Sequence, residues 1–404
     1  MTDRRRRRRP VNTGTASHAE SARPEETAHP KKNSAMTKQI SRRRQSVKPT
    51  AHAGEPTHGP LTAEELQLAV RNHSMPLEAL REDTTPPGLH YVLTHFDIPF
   101  TDADSWHLRI GGAVQRAVEI SLRALRRDPT ISIPVTLECA GNGRSLLHPR
   151  PMSQPWRLEG VGTAEWTGVP LAYLLAQAGV DDDAVEVVFT GADTGIQGGV
   201  RQQYARSLPI KEAMRPDVVL AYEMNGRELP PQHGYPLRLV VPGWYGMASV
   251  KWLQSIQVVT HPFEGFQQAV SYRYQQDADD AGTPVSRIRV RSLMIPPGIP
   301  DFYTRSRVLS PGPVMLQGRA WSGEGSVVRV EVGIDGKWVP AHLGHPAGPF
   351  AWCEWTLPWV ADRGEHELAC RATDATGSMQ PLEQAWNYQG MGNNVVQRVK
   401  VSVE

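Results

Sequence analysis

The chain has 404 residues and a net charge of +2, with 39% hydrophobic and 21% charged residues. This length allows two domains of ordinary size, and the composition is typical of a soluble globular protein. The sequence contains no run of about 18 apolar residues, so no membrane span is predicted.

The positive charge is concentrated at the N-terminus. The first 50 residues contain 14 Lys or Arg and 4 Asp or Glu, whereas the remainder contains 30 and 38. Residues 1–58 lack periodicity and are predicted to form a disordered basic tail. Contact of this tail with nucleic acid is the alternative, but the remainder shows no basic stripe with interleaved aromatics, so no nucleic-acid partner is expected. Residues 41–44 begin like a twin-arginine export signal, but no apolar stretch follows, so a cytoplasmic location is expected, with export left open.

Residues 59–280 mix short strands with helices. Thr62 followed by Glu65 is typical of a helix start. Regular crossover helices do not separate the strands, which favours an α+β domain with long functional loops. Strands are predicted at 133–139, 184–190 and 237–241, and helices at 170–179 and 210–214.

Residues 281–404 follow a different pattern. Val327–Ile334 alternate with period two, Asp335 and Gly336 form a hairpin turn, and Lys337 begins the return strand. Further strands are predicted at 366–371 and 395–403. This spacing favours an all-β immunoglobulin-like sandwich. Tryptophans 321, 338, 352, 355 and 359 are available to fill it, and Cys353 and Cys370 are either core residues or a disulfide pair, with a reducing compartment favouring the core.

Residues 137–144, Leu-Glu-Cys-Ala-Gly-Asn-Gly-Arg, carry the most informative pattern. Cys139 stands at the end of a predicted strand, glycines follow at once, and Arg144 brings positive charge for an anion. A lone cysteine is most often a small buried hydrophobe, and a metal ligand is the alternative.

A second group of polar side chains lies between residues 231 and 252. His233, Arg238, Ser249 and Lys251 surround a glycine-rich turn within about 20 residues. Arginine and lysine supply charge and glycine exposes backbone N–H groups, so the set suits a phosphate-bearing ligand. The alternative is a Gly/Pro-rich loop with a satisfied surface histidine.

Both segments resemble those of the sulfite oxidase family of molybdopterin-dependent oxidoreductases, in its bacterial form without a haem domain. The resemblance implies a sulfite-oxidase-type molybdopterin domain followed by a sandwich domain that forms a homodimer. It also implies that the Cys139 thiolate binds molybdenum held by a pterin dithiolene. The pterin and its phosphate would contact His95, Asp193, His233, Arg238, Ser249, Val250 and Lys251.

The match for His95 depends on Tyr91-Val92-Leu93-Thr94-His95, which Pro99, Trp106 and Gly111-Gly112 follow as in the family. The segment Arg71-Asn72-His73 copies the family's aromatic-Val-Arg-Asn-His motif but has the wrong surroundings, so we interpret it as a decoy. Leu93 then stands where the family has an arginine that anchors the substrate.

The same resemblance places Arg144, Trp156 and Tyr272 at the substrate pocket, although Tyr272 fits a plain core position equally well. Gln389 stands where animal and plant sulfite oxidases carry a further arginine. Loss of two charge-assisted bonds, worth about 1.5 to 3 kcal/mol each, would weaken the binding of a dianion. We also expect Arg144 to lower the pKa of Cys139.

Three functions follow as hypotheses. The first is oxidation of sulfite to sulfate, with a small anionic substrate and a separate electron acceptor such as a cytochrome. The second is reduction of an S-oxide, an N-oxide or nitrate with the same cofactor, which the absent arginines favour. The third is a non-enzymatic binding module with a vestigial molybdenum loop.

Overall fold

The computed structural model describes residues 54–404, in which two kinds of domain follow one another. Gly54–Thr57 form a strand that pairs with Arg150–Met152, so these four residues do not belong to the disordered tail predicted for 1–58. Residues 1–53 of that prediction lie outside the described residues.

The first domain combines strands with short helices. Its strands are β1 (Gly54–Thr57), β2 (His107–Gly112), β3 (Val118–Ser121), β4 (Ile131–Glu138), β5 (Arg150–Met152), β6 (Val161–Pro170), β7 (Glu186–Gln197), β8 (Val200–Pro209), β9 (Val219–Met224), β10 (Arg227–Glu228), β11 (Arg238–Val240), β12 (Leu253–Val259), β13 (Arg273–Tyr274) and β14 (Thr283–Pro284). Its α-helices are α1 (Ala63–Arg71), α2 (Leu122–Leu125), α3 (Leu171–Ala178), α4 (Ile210–Ala213) and α5 (Phe266–Ala269), and short 3-10 turns span Leu77–Arg81, Arg144–Leu146, Pro231–His233 and Gly246–Ala248.

These strands form two main sheets. One has the order β10-β9-β6-β4, with β11 also paired to β9, and the other has the order β3-β2-β12-β7-β8. The predicted helix start is confirmed, because Thr62 and Glu65 form a capping box in which each side chain bonds the other's backbone N–H. The predicted strands and helices are found within a few residues of their expected ends, and β7 is longer than expected.

The second domain is a sandwich of two sheets. Its strands are β15 (Arg291–Met294), β16 (Ile299–Pro300), β17 (Arg307–Leu309), β18 (Gly312–Trp321), β19 (Val327–Ile334), β20 (Lys337–Pro340), β21 (His342–Leu343), β22 (Cys353–Ala361), β23 (Gly364–Asp374) and β24 (Gln397–Val403). The sheets have the orders β15-β18-β22-β21 and β16-β17-β24-β23-β19-β20. The predicted hairpin is confirmed, since Ile334 pairs with Lys337 and both Asp335 and Gly336 have positive φ.

Only part of the predicted tryptophan filling is correct. Trp355 and Trp359 lie in the core of the sandwich. Trp321 and Trp352 instead join the large core of the first domain, and the Trp338 ring lies under the Arg371 guanidinium. Two of the five tryptophans therefore tie the domains together. Cys353 and Cys370 are both free and buried, so the core interpretation is the correct one.

Candidate active site

Cys139 directly follows strand β4. Its backbone N–H donates to the Gly160 carbonyl at 2.8 Å, which holds it beside the start of β6. Its side chain is only 6% exposed and lines two cavities that meet at this point. The Cys139 thiol therefore lies at the end of a strand, where the two cavities meet.

The glycines after Cys139 make room for the residues that surround it. A Cβ atom at Gly141 would lie 2.5 Å from a guanidinium nitrogen of Arg144. Gly143 has φ of +85° and lies against the Asn393 side chain. A side chain at either position would push away a neighbour or strain the backbone.

The first cavity lies against Cys139. It brings together almost all the residues predicted to bind a cofactor, although they come from five separate segments of the chain. Val250 is the exception, because its side chain is buried in the apolar core and does not line the cavity. The predicted residues that do line it are His95, Cys139, Asp193, His233, Arg238, Ser249 and Lys251.

Two cationic groups in this cavity are held by backbone carbonyls. Arg238 donates to the carbonyls of His233 at 2.9 Å and Ser249 at 3.3 Å, and its Nε has no partner. Lys251 Nζ donates to the carbonyls of Leu93 and Gln232 at 2.8 and 2.9 Å. No carboxylate within residues 54–404 forms an ion pair with either group.

The protonation equilibria of these groups are shifted toward their neutral forms. Burial lowers the pKa of Arg238 to about 10, and burial together with Arg238 lowers the pKa of Lys251 to about 7. Burial also raises the pKa of Asp193 to about 6, although Lys251 opposes this shift. A bound phosphate would reverse the shifts of the two cations, because an anion favours their charged forms.

Histidines line the same cavity. Burial is the main cause that lowers the pKa of His233 to about 2 and that of His90 to about 4, so both imidazoles are neutral at pH 7. Their ring centroids lie 5.3 Å apart in an edge-to-face arrangement. His95 Nε2 lies 2.6 Å from Gln197 Oε1. Neutral imidazoles next to a cofactor supply hydrogen bonds without adding charge.

The second cavity also reaches Cys139 and has a volume of about 440 Å³. It contains the residues predicted for the substrate pocket: Arg144, Trp156 and Tyr272, together with Leu93 and Gln389. Leu93, His95, Cys139 and Tyr272 line both cavities. Tyr272 is thus a cavity residue as well as a member of the apolar core.

Arg144 is buried, and three of its five N–H groups donate within the protein. Nε donates to the Gln389 carbonyl at 3.0 Å, Nη1 to the Gln154 carbonyl at 3.1 Å, and Nη2 to Met391 Sδ at 3.4 Å. No carboxylate in the described part of the chain pairs with it. Its positive charge is therefore fixed beside Cys139 and is not neutralised there.

The expected effect of Arg144 on Cys139 is outweighed. Arg144 does favour the thiolate, but burial acts more strongly, so the net pKa of Cys139 is raised. The protein alone therefore favours the neutral thiol of Cys139, and a bound metal would be needed to favour the thiolate.

Several residues at the site were missed from the sequence. His90, directly before the recognised segment, and Tyr91, the first residue of that segment, both line the first cavity. Tyr204 donates to the Met247 carbonyl at 2.8 Å, and Arg206 lies 5.5 Å from the centroid of the Tyr272 ring. Tyr204 and Arg206 lie two positions apart on β8, but Arg201, Gln202 and Gln203 make this strand polar as well, so no distinctive pattern marked this wall of the site.

The decoy interpretation of residues 71–73 is consistent with their positions. Arg71 pairs with Asp97, and His73 forms a backbone bridge with Val92. Neither side chain lines the first cavity. Asn72 supports the true segment, because its Oδ1 accepts the N–H of Thr94 at 2.7 Å.

The residues of the first cavity fit a phosphate-bearing pterin cofactor with one thiolate-bound metal. Within residues 54–404 no group of three or more His, Cys, Asp or Glu side chains could hold a metal ion by itself, so the metal would need ligands from the cofactor in addition to Cys139. Buried polar atoms without partners, His90 Nε2 and Arg238 Nε, line the cavity and are available to such a group.

Comparison with known proteins gives the class. A model of the oxidoreductase molybdopterin binding domain matches residues 95–267, and a model of the Mo-co oxidoreductase dimerisation domain matches residues 285–404. The chain belongs to the sulfite oxidase family of molybdopterin-dependent oxidoreductases, as predicted, and it is a molybdenum-cofactor enzyme. The dimerisation domain supports a homodimer, and the hypothesis of a non-enzymatic binding module is wrong.

Individual relatives differ in their activities. Mitochondrial sulfite oxidase of Rattus norvegicus is 34% identical over 360 residues, which cover 82% of this chain and 64% of that protein. The NADH nitrate reductase of Cichorium intybus is 34% identical over 365 residues, which cover 82% of this chain and 40% of that protein. The chain thus spans less than two thirds of the length of these relatives.

A solved structure shares the whole architecture. The sulfane dehydrogenase SoxCD from Paracoccus pantotrophus aligns with a TM-score of 0.71 and 26% identity, covering 86% of this chain and 93% of that chain. The predicted fold class is therefore confirmed, whereas the domain boundaries at residues 58 and 280 stay predictions. None of the helices in residues 54–404 is both long enough and apolar enough to cross a membrane.

Proposed function

We propose that this protein oxidises small sulfur oxyanions, with the conversion of sulfite to sulfate as its reference reaction. The observation that carries the proposal is the position of Arg144, an uncompensated guanidinium in the cavity that meets the cofactor cavity at Cys139. A fixed cation beside the reacting centre attracts an anion and holds it in one place.

Separate sets of residues would bind the cofactor and the substrate. Cys139 would bind the metal, and His95, Asp193, His233, Arg238, Ser249 and Lys251 would hold the pterin and its phosphate. When bound, the molybdenum cofactor supplies two-electron redox chemistry and oxygen transfer. Arg144 would orient the anion, Trp156 would form a rigid wall, and the Tyr272 hydroxyl would donate a hydrogen bond to the anion.

The reaction also defines a partner. Sulfite and water give sulfate, two protons and two electrons, so an electron acceptor is required. We propose that a separate redox protein, such as a cytochrome, takes the electrons. The similarity to a sulfane dehydrogenase supports electron removal from a sulfur compound as the direction of the reaction.

Reduction of nitrate or of an S-oxide is the second candidate. Leu93 and Gln389 leave the substrate cavity without the two further arginines of the family's anion pocket, and plant nitrate reductases are among the relatives. A substrate that arrives with less negative charge than sulfite would need fewer cations.

An anaerobic titration of the molybdenum-loaded protein distinguishes the two candidates. Sulfite is added to the oxidised protein, and nitrate or dimethyl sulfoxide to the dithionite-reduced protein, while the visible absorption and the Mo(V) EPR signal are followed. Our proposal predicts that sulfite reduces the oxidised protein. Reoxidation by nitrate or dimethyl sulfoxide, with no response to sulfite, would establish the reductase instead.

A further inference from the structure

The substrate cavity contains little positive charge. Its fully charged lining residues are Arg144, Glu64 and Glu65. Glu65 is compensated by Arg150, which donates to its two oxygens at 2.9 and 3.0 Å, and Glu64 lies exposed on the first turn of α1. A dianion in this cavity therefore meets one guanidinium and also an exposed carboxylate at the rim.

Three of the five N–H groups of Arg144 donate to protein atoms. Two of its nitrogens donate to carbonyls and a third to the Met391 sulfur. The remaining two N–H groups, one on each Nη, can bind one oxyanion, and the single guanidinium contributes one positive charge. The cavity consequently matches one negative charge and not two.

The remaining walls of the cavity are largely apolar. Leu93 stands beside Cys139, and the thioethers of Met152 and Met391 and the rings of Phe96, Phe266 and Trp156 line the cavity around it. Its volume of about 440 Å³ is far larger than the four heavy atoms of sulfite require. Methionine side chains adapt to varied shapes and contact aromatic rings favourably.

We propose that the preferred substrate is an organosulfinate, R–SO2⁻, in which R is an aryl or branched alkyl group that packs against the methionines and phenylalanines. This inference rests on the proposed function, because it keeps oxidation at sulfur and changes only the substituent. A sulfinate has one negative charge to match Arg144 and a sulfur lone pair like that of sulfite.

The reaction balances with the components already named. R–SO2⁻ and H2O give R–SO3⁻, two protons and two electrons; a new S–O bond forms, the sulfur is oxidised, and the electrons pass to the external acceptor. The S–C bond stays intact, so the substituent remains in the apolar part of the cavity throughout.

The test compares substrates on the molybdenum-loaded enzyme under anaerobic conditions. Benzenesulfinate, methanesulfinate and sulfite are each mixed with the oxidised enzyme, and dithionite establishes that the centre is reducible. We expect benzenesulfinate to reduce the centre with an at least tenfold higher second-order rate constant than methanesulfinate, and to yield benzenesulfonate with oxygen from labelled water. Reduction by sulfite without reduction by benzenesulfinate overturns this inference and leaves the proposed function intact. Reduction by neither compound overturns both.

Calorimetric binding of the products provides a readout that does not depend on turnover. Benzenesulfonate should bind the loaded wild-type enzyme at least tenfold more tightly than sulfate. Leu93→Arg should reverse this order, because it adds a charge and fills apolar space, whereas the matched variant Leu93→Met should preserve it. Equal or tighter binding of sulfate by the wild-type enzyme would overturn the inference.

Discussion

Glu138 and Arg291 form an ion pair that is closed to solvent and joins the residue before Cys139 to the second domain. Arg291 Nε lies 2.9 Å from Glu138 Oε1, and the exposure of the two side chains is 1% and 0%. Trp321 Nε1, also from the second domain, donates to the other carboxylate oxygen at 2.8 Å. Asn393 reinforces the link by donating to the Gly143 carbonyl at 2.7 Å. The dimerisation domain thus helps to hold the strand end that presents the ligand.

Replacement of Arg291 by methionine should destabilise the protein by about 3 to 5 kcal/mol, because Glu138 would keep a buried charge without its partner. Denaturant unfolding of the wild-type and variant proteins measures this loss. The double variant Arg291→Met with Glu138→Gln should recover part of it. A loss under 1 kcal/mol in the single variant would show that the pair contributes little to stability.

Features with local causes could be predicted from the sequence. The turn at Asp335-Gly336 fixes its own hairpin, and Thr62 and Glu65 cap their own helix. The Glu138–Trp321 contact could not be predicted, since it joins residues 183 positions apart and no motif around Trp321 marks it as a partner of Glu138. Long-range contacts of this kind depend on how two complete domains pack.

In the candidate active site, too, local features could be predicted from the sequence and long-range ones could not. Cys139, His233 and Lys251 could be found because their neighbours form recognisable segments. Burial could not be read from those segments, so the raised pKa of Cys139 was not foreseen, and neither was the inward position of Arg206. Solvation depends on the complete fold, whereas a motif specifies only its own residues.

The pH dependence of stability should reveal Lys251 in the cofactor-free protein. Its pKa is about 7 in the folded chain, mainly through burial, and about 10.4 when unfolded. Between these values the unfolded chain binds a proton that the folded chain does not, so its contribution to stability rises with pH. Relative to Lys251→Met, the wild-type protein should gain a few kcal/mol between pH 7 and pH 10.

Denaturant unfolding at several pH values measures this difference, and the exposed Lys211→Met provides the control. Lys211→Met should follow the wild-type profile throughout. Parallel profiles for the wild-type protein and Lys251→Met would contradict the assigned pKa.

Gly141→Ala should disturb Arg144 without unfolding the protein. The added methyl group would displace the buried Arg144 guanidinium from its hydrogen bonds to the Gln389 and Gln154 carbonyls, so we expect the melting temperature to fall by several degrees. Displacement of the guanidinium should raise the inhibition constant of sulfate about tenfold, which steady-state kinetics can measure. Gly88→Ala, where no atom lies within 4 Å of the new Cβ, is the control. An unchanged constant in Gly141→Ala would remove Arg144 from anion binding.

Gln389→Arg should tighten anion binding, although at a cost in stability. The Gln389 side chain donates to the Val270 carbonyl at 2.9 Å and accepts the Arg273 N–H at 3.3 Å. One added charge-assisted bond of about 1.5 to 3 kcal/mol would lower the sulfate inhibition constant at least tenfold. The uncharged variant Gln389→Met should lose the same stability with no gain in affinity. If both variants bound sulfate equally, Gln389 would not face the anion.

X-ray absorption at the molybdenum K-edge, applied to the wild-type protein and Cys139→Ser, tests the central claim most directly. The wild-type protein should contain about one molybdenum per chain, with one sulfur ligand more than Cys139→Ser, while both proteins keep their fold and most of their pterin. Sulfite turnover should be lost in the variant. Molybdenum with the same number of sulfur ligands in both proteins, or normal turnover by Cys139→Ser, would contradict the assignment of Cys139 as the metal ligand.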